Sequence, residues 1–177
     1  RQALEAGARG AAVSLLHAWK NPTHEVAVAR ILREEGFAQV VCSSAVAPFL
    51  HFLRRTETTA VEAFLAPVVG GFLDAVEAGA EGGPVLVMTS AGGLVPRRRV
   101  RACDTLLSGP AGGVLGALRA GLALGCGQVI SFDMGGTSTD VARAHGHPDR
   151  VETHQVGDAR LQAPAVAIET VAAGGGS

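Results

Sequence analysis

The sequence predicts an α/β chain made of parts of two lobes. Short apolar runs of strand length alternate with stripes of helical period. Glycine-rich turns follow several of the strands, and the chain holds 24 glycines in 177 residues. Hydrophobic residues make up 47% and charged residues only 18%. That balance excludes a disordered chain, which needs low hydrophobicity and high net charge. Fifteen Lys and Arg stand against 16 Asp and Glu, for a net charge of −1 and a pI near 6.6. Such a chain offers phosphates no attracting field, so no nucleic-acid partner is expected.

Arg9–Leu16 reads as a short buried strand. Asn21-Pro22 then supplies an N-cap and a proline at the first helical position. The helix expected from about Pro22 to Glu35 places Val28, Ile31 and Leu32 on one face, and Gly36 stops it. Phe37–Ser43 is a second strand, and residues 48–55 read equally as a short helix or an extended piece. From Glu57 to Ala78, Val61, Phe64, Leu65, Val68, Val69, Phe72, Leu73 and Val76 form an amphipathic stripe. Pro67 and Gly70-Gly71 predict a kink there, or two helices. Pro84–Met88 is a third strand, ending in the turn Thr89–Gly93. In an α/β sheet that end is where ligands bind, which makes Ser90, Gly92 and Gly93 substrate-side candidates.

A second section starts near Ala102, with the lobe boundary expected at residues 95–105. Residues 1–100 are expected to form one α/β lobe and 101–177 the start of a second. Ser108–Gly113 precedes a small-residue helix over 114–124, and Val129–Phe132 is a strand. Val141–Ala144, Arg150–Val156 and Ala165–Val171 are further strands, arranged as an antiparallel meander around a turn at 145–149. Cys42, Cys103 and Cys126 are odd in number, widely spaced and without CxxC, which argues against disulfides or a thiolate metal site. No run of 18 apolar residues occurs, because Asp74 and Glu77 interrupt the longest candidate. No membrane span is expected, and the cytoplasm is the default location.

The segment 130–141, ISFDMGGTSTDV, carries the chemistry. A buried strand delivers Asp133 to the mouth of a turn. Gly135 and Gly136 let backbone N–H groups approach an anion closely. Thr137, Ser138 and Thr139 add hydroxyl donors for phosphate oxygens. Asp133 and Asp140 suit Mg²⁺, which takes one or two carboxylates and keeps several waters. The competing reading is a tight hairpin with glycines at its turn. Nothing fits a Walker lysine loop or a GxSxG elbow.

The segment FDMGGTSTDV (132–141) resembles the second phosphate loop of the hydantoinase A and 5-oxoprolinase family, whose members have the actin-like, ribonuclease H-like ATPase fold. LLHAWKNPTHE (15–25), VMTSAGGL (87–94), LLSGPAGGVLGA (106–117) and TVAAGGGS (170–177) resemble other signatures of that family, in its order. LQAP (161–164) followed by TVAAGGGS is closer to the ATP-hydrolysing 5-oxoprolinases than to the hydantoinase branch. The resemblance implies ATP-driven opening of a cyclic amide: 5-oxo-L-proline, ATP and water give L-glutamate, ADP and phosphate. Phosphorylation of the amide oxygen makes the carbon electrophilic, and phosphoryl transfer needs mainly positioning and charge neutralisation.

By resemblance, residues 1–100 are the substrate-side lobe and 101–177 the start of the nucleotide-binding lobe. By the same resemblance, Gly135, Gly136, Thr137 and Ser138 hold phosphates, and Asp133 or Asp140 holds Mg²⁺ or orients an attacking group. The alternatives are a hydantoinase A subunit of the N-methylhydantoinase type and a non-catalytic actin-like ATP-binding module. The implied partners are a small cyclic amide and a B-type domain or subunit of the same enzyme, in a homo- or hetero-oligomer. The family fold has two lobes and two phosphate loops, and one such loop is present here. The chain therefore reads as part of a longer protein, inactive in lactam hydrolysis by itself. Glu169, the stretch 143–147 and Trp19-Lys20 depart from the family pattern.

Ser108, Gly109, Gly112 and Gly113 precede a helix whose free N–H groups make an anion site, or else form a close-packed turn. His17 and His24, with Glu25, stand around a strand end and a helix start and have metal-ligand chemistry, although a capped helix explains them as well. Gly174 and Gly175, with Gly176 and Ser177, form an anion-binding backbone loop or a flexible tail.

Overall fold

Seventeen helices and strands follow one another in the computed structural model, which describes residues 2–176. In chain order they are α1 (Gln2–Glu5), β1 (Gly10–Val13), α2 (Thr23–Glu34), β2 (Gln39–Cys42), α3 (Ser43–Val46), α4 (Phe52–Gly79), β3 (Leu86–Met88), β4 (Leu94–Pro96), α5 (Ser108–Ala123), β5 (Gln128–Met134), β6 (Thr139–His145), β7 (His147–Pro148), β8 (Arg150–Val151), β9 (His154–Val156), β10 (Ala159–Leu161), β11 (Ala165–Val166) and β12 (Glu169–Val171). Contacts group them into two units. One holds residues 1–84, 101–103 and 153–163; the other holds 85–100, 104–152 and 164–177. The division first changes at Pro84/Val85 and changes again at 100/101 and 103/104, within the expected 95–105 stretch, because residues 101–103 and later 153–163 return to the first unit.

In the first unit, β1 and β2 are parallel neighbours in the register Gly10↔Gln39 to Val13↔Cys42. The strand expected over 9–16 stops at Val13 because the chain beyond it has other bonds to make. The Leu15 N–H donates to Glu25 Oε1 at 2.9 Å, and the Leu15 and Leu16 carbonyls accept from Arg55. Helix α2 begins as its capping residues predict: Asn21 Oδ1 accepts from the Thr23 N–H at 3.1 Å and its hydroxyl at 2.7 Å. Its buried face differs from the expected one. Glu25 and Ala29 point inward, while Val28 and Ile31 are exposed.

The cause is a buried polar network. Glu25, fully buried, accepts from Ser43 Oγ at 2.6 Å and the Ser44 N–H at 2.9 Å as well as from Leu15. Arg55, also fully buried, donates its Nε to Ser43 Oγ at 2.9 Å and its terminal nitrogens to the carbonyls of Phe49, Leu15 and Leu16. Burial works against the Glu25 charge, but the hydrogen bonds from Ser43, Ser44 and Leu15 outweigh it and hold the carboxyl below the ordinary glutamate value. Burial, and next the Glu25 charge, push the neighbouring Cys42 thiol up, against a smaller opposing effect of Arg33.

Helix α4 is one continuous helix from Phe52 to Gly79, which takes in residues 52–55 of the ambiguous segment, leaves 48–51 outside it and carries Pro67 within. Proline cannot donate to the carbonyl four residues earlier, and that carbonyl, on Ala63, lies 3.6 Å from where a Cβ on Gly10 of β1 would sit. The predicted apolar stripe is not the inner face. Arg55, Thr58, Thr59, Glu62 and Leu73 are buried, whereas Phe64, Val68 and Phe72 are about three-quarters exposed, at 79%, 73% and 66%. Glu62 accepts from the N–H groups of Ala102 and Cys103, and Thr58 Oγ1 accepts from Gln162 N–H at 3.0 Å. By length and composition α4 is apolar enough to cross a membrane, contrary to the expectation that no such segment exists. Its polar inner face is instead bonded to its own unit.

In the second unit, β5, β6 and β12 form an antiparallel sheet in the order β12-β6-β5, with β7 also on β6. Helix α5 packs on it around Ala111, Val114, Ala142 and Val166. Hairpin β3–β4 and the pair β8–β11 complete this unit. The strand expected over 150–156 is divided: β8 stays here, and β9 pairs with β10 in the first unit.

Glu25→Gln tests the network. An acid with a lowered folded pKa stabilises the fold above its unfolded value, about 4.3 for glutamate, and that contribution is lost as pH falls through the folded value. Urea unfolding followed by Trp19 fluorescence in the first unit should show a loss of about 1–3 kcal/mol at pH 7. The variant should also lose less stability than the parent as pH drops below 4.3. Identical acid limbs in the two proteins would remove Glu25 from this role.

Candidate functional site

Strands β5 and β6 pair from Gln128↔His145 to Met134↔Thr139, which leaves a four-residue turn, Gly135–Ser138. The Gly135 N–H closes it onto the Ser138 carbonyl at 2.8 Å. Both strands run further than their apolar residues predicted, so Asp133 and Asp140 are strand residues rather than members of the turn. They are directly opposed in the register. Opposed residues of an antiparallel pair point to one face with Cβ atoms about 5 Å apart. Their face is the one that carries Ala142 against α5, since alternate residues share a face.

Two like charges so placed repel each other. A divalent cation between them removes the repulsion, and Mg²⁺ takes two carboxylates while water and phosphate oxygens complete its shell. The donor set therefore fits Mg²⁺. Asp140 is also oriented: Thr170 of β12, its register partner, donates its hydroxyl to Asp140 Oδ1 at 2.6 Å.

The chain beyond β12 returns to the turn. Thr139 Oγ1 donates to the Ala173 carbonyl at 2.6 Å. The Gly175 N–H donates to Gly135 O at 3.0 Å and the Gly176 N–H to Gly136 O at 2.9 Å. A Cβ on Gly174 would lie 2.5 Å from the C and O of Gly136 and from Thr137 N. The expectation that Gly175 donates directly to phosphate is thus corrected, because its N–H is spent on Gly135. Residues 170–176 were legible as a glycine loop, but their partnership with 133–140 was not: strand pairing, not local sequence, brings them there.

The Ser108–Gly113 stretch is not a turn before a helix but the first six residues of α5. Ser108 Oγ donates back to Thr105 O at 2.7 Å. Close packing does not require these glycines. A Cβ on Gly109 would meet nothing within 4 Å, one on Gly112 would be 4.0 Å from Met88, and one on Gly113 would be 3.8 Å from Asp133 Oδ2. That last distance puts the second turn of α5, at Gly113, beside the Asp133 carboxylate. The tightly packed glycine of this helix is Gly121, whose Cβ would lie 3.0 Å from Val129 and 3.2 Å from the Cys126 carbonyl.

Ser90 is completely buried. Its hydroxyl donates to Asp104 O at 2.8 Å and accepts from Leu107 N–H at 3.0 Å. It anchors the approach to α5 rather than facing a substrate. Gly92, at φ +80°, and Gly93 close the β3–β4 hairpin, with Gly93 N–H 3.2 Å from Thr89 Oγ1. His17 and His24 are exposed, and Glu25, the third member of the expected cluster, points into the core. Among the described residues, no three His, Cys, Asp or Glu side chains come together to hold a metal.

Strand pairing thus sets two carboxylates beside a glycine–hydroxyl turn in an α/β unit, with α5 packed next to Asp133. Residues 55–177 match the hydantoinase/oxoprolinase family model, and the chain belongs to that family. It is 41% identical to 5-oxoprolinase PfmaA of Pestalotiopsis fici and 41% identical to 5-oxoprolinase 1 of Arabidopsis thaliana, each over 98% of this chain and 14% of the relative. The crystal structure of the ATP-dependent caprolactamase from Pseudomonas jessenii matches with a TM-score of 0.80 at 30% identity, over 92% of this chain and 25% of that one. The chain spans about 14% of the length of the curated relatives named here. The expected fold class, α/β and part of an actin-like ATPase, accords with that match.

Two glycines of α5 separate packing from helix propensity. Gly121→Ala should cost about 1–2 kcal/mol, since Val129 and a backbone carbonyl must give way. Gly116→Ala, with open space at its Cβ, should gain about 0.5–1 kcal/mol from helix propensity. Thermal denaturation of both variants checks the pair, and equal effects would contradict the packing.

Proposed function

We propose that this chain is part of an ATP-dependent cyclic amide hydrolase of the 5-oxoprolinase type, and that its second unit contributes the phosphate and Mg²⁺ side of the ATP site. The observation that carries the reading is the opposed pair Asp133 and Asp140 beside the turn Gly135–Ser138. In this reading Gly136, Thr137 and Ser138 contact phosphate oxygens through backbone N–H groups and hydroxyls. Asp133 and Asp140 hold Mg²⁺, which neutralises the charge on the transferred phosphoryl group. The first turn of α5, at Ser108 and Gly109, adds N–H groups ahead of the first helical bond, where anions are favoured. The cyclic amide, a B-type domain or subunit, and a cytoplasmic location go with this reading.

The names of the relatives support the 5-oxoprolinase choice over a hydantoinase A subunit or a non-catalytic ATP-binding module. The test uses the full-length protein. Asp140→Asn and Asp133→Asn should each lower ATP-dependent 5-oxoproline hydrolysis at least a hundredfold, with thermal stability kept or raised because the carboxylate repulsion is relieved. Phosphate and glutamate release are measured together. Unchanged turnover in both variants, or a wild type that opens no cyclic amide, sinks the proposal.

A further inference from the structure

We infer that residues 170–176 are a strap that sets the phosphate-binding conformation of the 135–138 turn without touching the nucleotide, and that Gly174 is its essential positioning residue. The inference rests on the reading of the turn as the phosphate loop.

The argument starts from the peptide plane. In a trans peptide the C=O of one residue and the N–H of the next point in opposite directions. The strap donates to two successive carbonyls of the turn, Gly135 O from Gly175 and Gly136 O from Gly176. Both carbonyls therefore face the strap, and the N–H groups that follow them, on Gly136 and Thr137, face away from it. Among the described residues neither of these two N–H groups has a partner. Successive N–H groups turned to one side make a concave anion site. Without the strap the same turn is free to flip these peptides and point oxygens outward.

Gly174 is the residue that makes such contact possible. Its Cβ position is 2.5 Å from three atoms of the Gly136–Thr137 peptide, so it lies over the face of that peptide. Any side chain there must lift the strap off the turn. The adjoining glycines are less confined: a Cβ on Gly175 would be 4.0 Å from Gly135 O. The strap is held by hydroxyls at its start and its middle, from Thr170 to Asp140 and from Thr139 to Ala173 O. Through the first of these it also fixes one carboxylate of the proposed cation pair.

The experiment uses the full-length protein and calorimetric titration with a non-hydrolysable ATP analogue in Mg²⁺. Gly174→Ala should weaken the analogue at least tenfold and raise the KM for ATP with a smaller change in kcat. Gly116→Ala, equally a glycine-to-alanine change but with open space at its Cβ, should bind within twofold of wild type. Thr170→Val removes the donor to Asp140 and should raise the Mg²⁺ concentration needed for half-maximal binding of the analogue; Thr170→Ser should restore it. This second pair carries the test if Gly174→Ala does not fold. Wild-type binding by Gly174→Ala alongside lost binding by Asp140→Asn overturns the strap and leaves the phosphate-loop reading standing. Wild-type binding by both overturns the reading and the strap together. A Thr170→Ser variant as impaired as Thr170→Val overturns the hydroxyl's positioning role.

Discussion

The register of one strand pair governs the second unit. Because side chains alternate across a strand, a slip of one residue between β5 and β6 would send each side chain of the slipped strand to the opposite face. With Asp133 opposite Asp140, the two carboxylates share a face and the turn between them has four residues. With Ser131 opposite Ala142 and Val129 opposite Ala144, small side chains on that same face let α5 approach. With Thr170 opposite Asp140, the third strand delivers a hydroxyl to the carboxylate and carries the chain on to the turn. Placement of the acids, packing of the helix and return of residues 173–176 are thus consequences of one pairing. The same pairing sets two carboxylates opposite each other, and the proposed cation site rests on that placement.

The first unit is organised around polar rather than apolar burial. Glu25 and Arg55 never meet directly; each bonds to Ser43, and the rest of their capacity goes to backbone groups of residues 15, 16, 44 and 49. A buried ion costs several kcal/mol to desolvate, and only full hydrogen bonding offsets that cost. Here each group ties the irregular stretch at residues 15–16 to a helix, and Glu25 also holds the start of α3. The irregular stretch after β1 and the start of α3 are held in this way, since neither has sheet partners of its own. Removing either ion would leave the other buried beside unsatisfied groups.

Local chemistry explains which parts were legible. The Asn21-Pro22 start of α2, its stop at Gly36 and the turn at 135–138 are all set by short-range rules, and all were readable. The inner faces of α2 and α4 were not. Their apolar stripes are real, but Phe64, Val68 and Val28 are exposed while Glu25, Arg55 and Glu62 are buried. A periodicity argument assumes that burial follows hydrophobicity, and it fails where long-range polar bonds decide the rotation of a helix. The same limit hid Thr170. Nothing within a few residues of it points to Asp140, thirty positions away. Ser90, legible as an exposed turn hydroxyl at a strand end, is instead buried by its bonds to Asp104 and Leu107, which no local pattern encodes.

The glycines of α5 carry the remaining argument about the site. A glycine inside a helix costs about 0.5–1 kcal/mol relative to alanine, so each one needs a reason. Gly121 has one, since Val129 and Cys126 leave no room for a Cβ. Gly109 has no neighbour that excludes an alanine, and the contacts of Gly112 and Gly113 are ordinary. The helix therefore gives up stability in its first half without any gain in packing. Sequences that break a local rule with no structural return do so mainly at functional sites. This half is the end that reaches Asp133, where the Gly113 Cβ position is 3.8 Å from the carboxylate. In the proposed function, glycines at this end keep side chains away from the Asp133 carboxylate and leave room beside it for a nucleotide phosphate chain.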